Sequence, residues 1–377
     1  MEIPEKFKNI TSIGVADIIG TGGTALFWFY IATLIEPEQY GEIFYILGIA
    51  SIASAIALFA HENSIIIAVA KKLKIQSTLY FISLCISFAA SAIIMILFYK
   101  IEPGLVVLGY VINTLAIGDI LGRKHFSSYS RYVLLQKGLT VGLGIGFFYL
   151  FGVDGIIFAI AISYSGYIIR SYKGLKDSAI NFELLKPRKE FLVSNYLFGL
   201  TVILRNQIDK IIIPMILSFT VLGNFAFSLQ IFAALLIFPH IIYKLILPHD
   251  ATGGSTNKIK KITILTSVGF AITGVTASPV IIPYFFPAFI DAISAVQIVS
   301  IAVIPETIIV MLTSKILAIE KSKFLLIGRT IGVIARVVGI VLLGINFGIY
   351  GIAIGFLIAY CIECIFLLIV TIRERKS

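Results

Sequence analysis

The chain reads as a succession of long apolar runs separated by short polar breaks. A helix that crosses about 30 Å of hydrocarbon needs roughly 20 largely apolar residues, because each adds about 1.5 Å of rise. Runs of that kind predict twelve helices, over 10–34, 43–69, 76–99, 104–121, 131–150, 153–170, 191–217, 221–247, 262–285, 292–316, 324–345 and 349–371. The breaks are short, as expected between antiparallel neighbours, and only Phe151 and Gly152 separate the fifth run from the sixth. The longest polar stretch, 170–190, divides the runs six and six. The expected organisation is an N-terminal six-helix lobe (1–175), a cytoplasmic linker (176–190) and a C-terminal six-helix lobe (191–377).

Composition supports an all-α integral membrane protein. The chain is 59% hydrophobic and 13% charged, with a mean hydropathy of +1.02, whereas soluble domains carry about a quarter charged residues. Charge then assigns sides, because cytoplasmic loops collect Lys and Arg. With the N-terminus inside, the inner ends hold Lys6, Lys8, Lys71, Lys72, Lys74, Arg123, Lys124, Arg131, Lys137, the basic residues of 170–189, Lys244, Lys258, Lys260, Lys261, Lys315, Lys321, Lys323, Arg329, Arg373, Arg375 and Lys376. That is 26 of the 30 basic residues. The outer loops carry Lys100 but mainly Glu36, Glu38, Glu42, Glu102, Asp154 and Asp291. Both termini are therefore expected in the cytoplasm and the chain in the cell membrane. Topology accounts for the net charge of +10, so nucleic acid is not an expected partner. The first apolar run lacks a short core closing on a small-residue cleavage site, so it reads as a retained helix. Cys85, Cys361 and Cys364 lie within apolar stretches. The Cys-x-x-Cys formed by the last two has no second pair, and small packing residues are the better reading than a metal site.

Two internal echoes suggest a parallel repeat of the halves. FGVDG (151–155), followed by Tyr164, matches FGIYG (347–351), followed by Tyr360, and YGEIFY (40–45) matches LGNFAF (222–227). Three longer stretches resemble the polysaccharide-transporter proteins of the multidrug/oligosaccharidyl-lipid/polysaccharide exporter (MOP) superfamily, which includes O-antigen flippase-like members. EPEQYGEIFYILGIASIASAIALFA resembles their first outside turn and second helix. DKIIIPMILSFTVLGNFAFSLQIFAALLIFPHIIYKLILP resembles their seventh and eighth, and FPAFIDAISAVQIVSIAVIPETIIVMLTSKILAIEKSKF their tenth. The resemblance implies a MATE-like fold of about twelve transmembrane helices in two six-helix lobes around a central cavity. It also implies flipping of a lipid-linked oligosaccharide by alternating access, with no enzymatic step and no cofactor.

Charges at membrane depth are costly, so they default to functional hypotheses. On the seventh helix, Asn195, Arg205, Asn206 and Asp209 share a wedge about 100° wide with Lys210 just beyond it. Arg205 lies about 21 Å above the inner end and Arg336, on the eleventh helix, about 18 Å. A polyprenyl diphosphate presents oxygens that guanidinium groups bind in bidentate fashion. Arg205, Lys210, Arg336, Asn206 and Asn195 are therefore candidates for a headgroup site. The alternative is that Asp209 merely neutralises Arg205 at i, i+4. In the first half, Asp17 and Glu62 both lie about 11 Å from the inner end, a pair suited to H⁺ or Na⁺ coupling or to plain hydrogen bonding with neighbours such as Thr21 or Asn63. Asp209 and Glu306, the latter beside Pro305, are coupling or gating candidates, though Glu306 and His240 also read as structural. GTGGT (20–24) lacks the Lys-Ser/Thr of a phosphate loop and reads as close packing or a hinge. Trp28 and tyrosines near helix ends suit interface anchoring.

The expected partners are an anionic lipid-linked glycan as cargo and the surrounding membrane lipids, with a monomer as the working form. A cation-coupled multidrug or small-molecule exporter of the same fold is an alternative, although buried arginines oppose a cationic cargo. A polyprenyl-dependent membrane glycosyltransferase or ligase is another, although the outer loops hold too few residues for a catalytic site, and a channel lacks any repeated filter-like segment.

Overall fold

The computed structural model describes residues 3–59, 61–251, 256–318 and 321–374. Residues 252–255, Arg375, Lys376 and the side chains of Lys6 and Lys8 lie outside the described residues. Among the described residues every regular element is a helix: α1 (Ile3–Ala32), α2 (Pro37–Ala57), α3 (Glu62–Ala70), α4 (Gln76–Phe98), α5 (Glu102–Gly122), α6 (Phe126–Phe151), α7 (Val153–Ser163), α8 (Ile168–Leu175), α9 (Lys189–Ile216), α10 (Phe219–Leu235), α11 (Ile237–Ala251), α12 (Asn257–Phe285), α13 (Ile293–Ala318) and α14 (Ser322–Glu374), with short 3₁₀ turns between some of them.

Each predicted apolar run coincides with one of these helices, with a broken pair, or, for the last two runs, with one half of α14. The run 43–69 starts earlier, at Pro37, where the ring suits the first helical turn and Glu38 faces the helix dipole. It breaks between α2 and α3, and the run 221–247 bends by 44° between α10 and α11. Nine helices of the described residues are long and apolar enough to cross a membrane, or ten if the bent pair is one span. Twelve crossings is more than length and apolarity alone establish. The surplus arises because α14 counts once although Gly348 breaks it, and because α9 is too polar to qualify.

Packing follows membrane logic, with small and hydroxyl residues between helices and large apolar ones outside. On α12 the buried residues Thr263, Ser267, Ala271, Gly274, Ser278 and Ile282 recur every three or four positions, and Gly274 abuts Ser300 of α13. The opposite face exposes Ile262, Leu265, Ile272 and Val280. Hydroxyls donate back to carbonyls one turn earlier, as Thr307 does to Val303 (2.7 Å), which satisfies them without water.

The paired motifs are the same structures twice. Gly152 (φ 69°, ψ −149°) and Gly348 (φ 58°, ψ −139°) adopt one glycine-favouring conformation. Behind them, Gly155 and Gly351 leave room for the carbonyls of Phe147 and Leu343, each eight residues earlier. The other pair meets face to face. A Cβ on Gly41 would strike the Phe219 carbonyl, and one on Gly223 the Pro37 carbonyl, so α2 and α10 cross backbone to backbone.

Trp28 is not an interface anchor. It is 7% exposed and packs on Tyr40 (ring centroids 5.9 Å) and Phe44 (4.7 Å), because this aromatic cluster supplies more contact than a helix end offers.

The chain divides into two compact units, residues 1–27 with 46–203, and 28–45 with 204–377. The division falls within α1, α2 and α9, whereas the expected boundary lay in the linker 176–190. That linker belongs wholly to the first unit.

Each unit carries a polar fastening at a helix end. In the first, the Asp119 carboxylate binds Arg123 (2.8 Å), Arg170 (2.6 Å) and the Gln76 amide (2.9 Å), and Arg123 also reaches Asp177 (2.5 Å). In the second, the Asp250 carboxylate accepts hydrogen bonds from Lys260 (2.5 Å), Ser314 (2.6 Å) and Thr256. Burial pushes the Asp250 carboxyl up, but these donors outweigh it and hold it below the usual carboxylate range. A depressed folded-state pKa gives stability that is present above the unfolded value and lost as pH falls through the folded value. Asp250→Asn is therefore expected to cost about 2 kcal/mol at neutral pH. Thermal unfolding in detergent at pH 7 and at about pH 2, below the ordinary carboxylate range, checks this. The wild type should lose stability between the two, and the variant less.

Candidate functional site

The second unit gathers most of the intramembrane charge at one place. Arg205 of α9 extends to α13 and α14, where its guanidinium meets Glu306 (2.9 Å) and Glu363 (3.2 Å). Arg336, on the first stretch of α14, donates to the Arg205 carbonyl (2.6 Å) and lies 4.0 Å from Asp209. Tyr360 sits beside both arginines, with the Arg205 guanidinium 5.0 Å and that of Arg336 5.1 Å from its ring. Phe356 flanks Arg336 at 4.4 Å. Two cations on an aromatic wall are held by ring quadrupoles as well as by carboxylates.

The helices position these groups for local reasons. Residues 352, 356, 360, 364 and 367 lie on the buried stripe of α14, so Phe356 and Tyr360 meet edge-on one turn apart in the core beside Phe225 and Phe232. Gly332 gives Glu363 its space, since a Cβ there would come within 2.7 Å of a carboxylate oxygen. Glu363 is 2% exposed, and one of its oxygens has no hydrogen-bond partner among the described residues. His240 and Arg329 are near enough to interact electrostatically with the network.

The sequence-derived candidates separate accordingly. Arg205, Arg336, Asp209 and Glu306 come together. The expected i, i+4 pairing of Asp209 with Arg205 is not formed, because Arg205 reaches across to two carboxylates and Asp209 turns to Arg336 instead. Glu306 is thus a direct partner of Arg205 and not simply a polar contact at a proline kink. Lys210 lies aside, its ammonium 2.6 Å from the Gln207 side chain and over the Phe44 ring at 5.5 Å. Asn206 is exposed, and Asn195 spends its amide on the Phe191 carbonyl (2.9 Å), beyond the unit boundary that crosses α9.

Sequence reading missed Glu363, Tyr360 and Arg329 as members of this network. Glu363 carries the signal that flags the others, a lone carboxylate deep in an apolar run.

In the first unit, Asp17 and Glu62 are near enough to interact, as their matched depths implied. Asp17 accepts a hydrogen bond from Tyr129 (2.9 Å), not from Thr21. Lys137, expected to reach back toward the inner surface, packs its stem on Gly20 and interacts electrostatically with Asp17. Among the described residues no cluster has the composition of a metal site.

The fold has close counterparts among solved structures. An inward-facing MATE family transporter of the MOP superfamily superposes with a TM-score of 0.70 at 15% identity, covering 96% of each chain. The outward-facing conformation of a MATE family transporter of the same superfamily gives 0.63 at 16%, covering 98% of this chain and 97% of that one. A MOP superfamily transporter from Pyrococcus furiosus, whose reported reverse polarity of the binding pocket suggests a different function, gives 0.58 at 16%, covering 97% and 95%. No family model matches the chain, and no curated protein matches it. The fold is therefore the MATE-like fold of MOP superfamily transporters.

Proposed function

We propose that the chain is a transporter of the cell membrane, with cytoplasmic termini, that flips a lipid-linked anionic oligosaccharide by alternating access. The observation that carries this reading is the pair of buried arginines, Arg205 and Arg336, converging on Tyr360. Guanidinium pairs suit the diphosphate of a polyprenyl carrier, and aromatic walls suit sugar faces. Counting Arg329, the network holds three basic residues against Asp209, Glu306 and Glu363, so its charges balance and a cargo anion must take the place of a carboxylate. The cargo anion would displace Glu306 and Glu363 from Arg205. Asp17 and Glu62 are the groups proposed for H⁺ or Na⁺ coupling, with Lys137 as an internal counter-ion.

A second reading is export of an organic cation. What favours it is the unsatisfied Glu363 oxygen and the MATE transporters among the solved structures. A cationic cargo would have to replace Arg205 on its carboxylates.

Proteoliposomes distinguish the two. With fluorescent polyprenyl-diphosphate oligosaccharide, the protein is expected to expose inner-leaflet substrate to an external modifying reagent. Rates equal to those of protein-free vesicles, together with uptake of an organic cation dye, would replace the first reading by the second.

A further inference from the structure

The segment that joins α8 to α9 is built as a surface, not as a tether. It is fastened to the first unit along its length. The Ser77 hydroxyl donates to the Gly174 carbonyl (3.3 Å) and accepts from the Ser178 amide (2.8 Å), and the Thr78 hydroxyl accepts from the Asn181 amide (2.9 Å). Asp177 is held by Arg123, and Arg170 by Asp119. Fastened in this way, the segment leaves Ile180 and Phe182 45% and 54% exposed, and Phe182 lies edge-on to Phe81, itself 40% exposed. Ile168, Ile169 and Tyr172, at the end of the preceding crossing, are also more than half exposed.

The same end is ringed with lysine. Lys72, Lys74, Lys124 and Lys173 are exposed and make no ion pair among the described residues, and Lys176 lies over the Tyr172 ring at 4.4 Å. Two of these lysines stand where backbone geometry favours another residue. Lys72 (φ 51°) and Lys124 (φ 59°) occupy left-handed turns that glycine adopts without strain. Basic residues placed there against local preference point to a use for their charge.

We propose that this end of the first unit, from the turns at Lys72 and Lys124 through residues 173–182, is a binding surface for anionic phospholipid headgroups. In it Ile180, Phe182 and Phe81 enter the acyl boundary, and the lysines contact phosphate. Clusters of several lysines just beyond a membrane helix attract anionic lipid, and amphipathic side chains with apolar stems and charged tips settle at this depth. The occupant is lipid and not a soluble phosphate, because the apolar half of the surface has no use for a soluble anion. The proposal depends on the chain spanning a membrane and is independent of the cargo.

The test exploits the single tryptophan. A Trp28→Phe, Phe182→Trp protein, reconstituted with phospholipids brominated on their chains, reports contact at the proposed position by quenching. The expected result is quenching by both brominated phosphatidylcholine and brominated phosphatidylglycerol. The preference for the latter should be on the order of fivefold for each lysine engaged. Adding Lys72→Gln, Lys124→Gln, Lys173→Gln and Lys176→Gln should bring the preference close to unity while quenching by phosphatidylcholine persists, and arginine at the same positions should retain it. An unquenched tryptophan overturns the proposal, as does a preference indifferent to the four lysines. Loss of the preference in millimolar inorganic phosphate at constant ionic strength identifies a soluble anion site and overturns it too.

Discussion

Arg205→Ala is expected to destabilise the second unit by about 3–5 kcal/mol and to abolish transport. The loss of stability follows because Glu306 and Glu363, with side chains 9% and 2% exposed, lose the cation that both of them share. Destabilisation alone would not separate a structural role from a functional one. The triple change Arg205→Met, Glu306→Met, Glu363→Met removes the cation and both carboxylates together, and replacing a buried ionic group by well-packed hydrophobic residues of similar size is often neutral. Its unfolding temperature should return close to that of the wild type. Transport of the diphosphate-linked substrate in proteoliposomes should stay absent, because the guanidinium is still missing. A triple variant that is both stable and active would reduce Arg205 to a structural fastening and remove the support for an anionic cargo.

The second large effect is expected at the crossing of α2 and α10. Gly41→Ala or Gly223→Ala puts a methyl group where a backbone carbonyl already lies, and neither helix backbone can yield as a flexible side chain would. Overpacking in a close-packed interior costs about 1–3 kcal/mol when side chains can adjust, and about 3 kcal/mol or more is expected where only backbone is available. Gly138→Ala and Gly142→Ala serve as controls, since a Cβ at either position meets nothing within 4 Å. Alanine also favours a helix over glycine by about 1 kcal/mol. The measurement is the unfolding temperature of the purified protein in detergent. It should fall sharply for the first two variants and stay level or rise for the controls. A level response at Gly41 and Gly223 would mean that the helices do not cross as closely as described.

The MATE-like fold and the charges inside its helices were legible in the sequence for one physical reason. Lipid offers the backbone no hydrogen bonds, so each crossing must be an uninterrupted apolar run, and every ionisable residue inside it stands out. Arg205, Arg336, Asp209 and Glu306 were found in that way, and the twin glycine motifs at 151–155 and 347–351 were visible as pattern. What those motifs do was not visible. That Gly152 and Gly348 share one backbone conformation, and that Gly41 meets Gly223, are facts of φ, ψ and helix crossing that a pattern of letters does not carry.

Only the tertiary structure decided who pairs with whom. Sequence spacing offers Arg205 its neighbour Asp209, one turn away on the same helix, but a guanidinium on a long stem reaches partners on other helices. There it finds Glu306 and Glu363. The same holds for Lys137, placed by charge counting near the inner surface and by packing beside Asp17, and for Trp28, placed by position at an interface and by contact within an aromatic core. Hydropathy depends on each residue's own transfer energy and adds up along the chain. Pairing depends on distances between segments far apart in sequence, and those are set by helix packing.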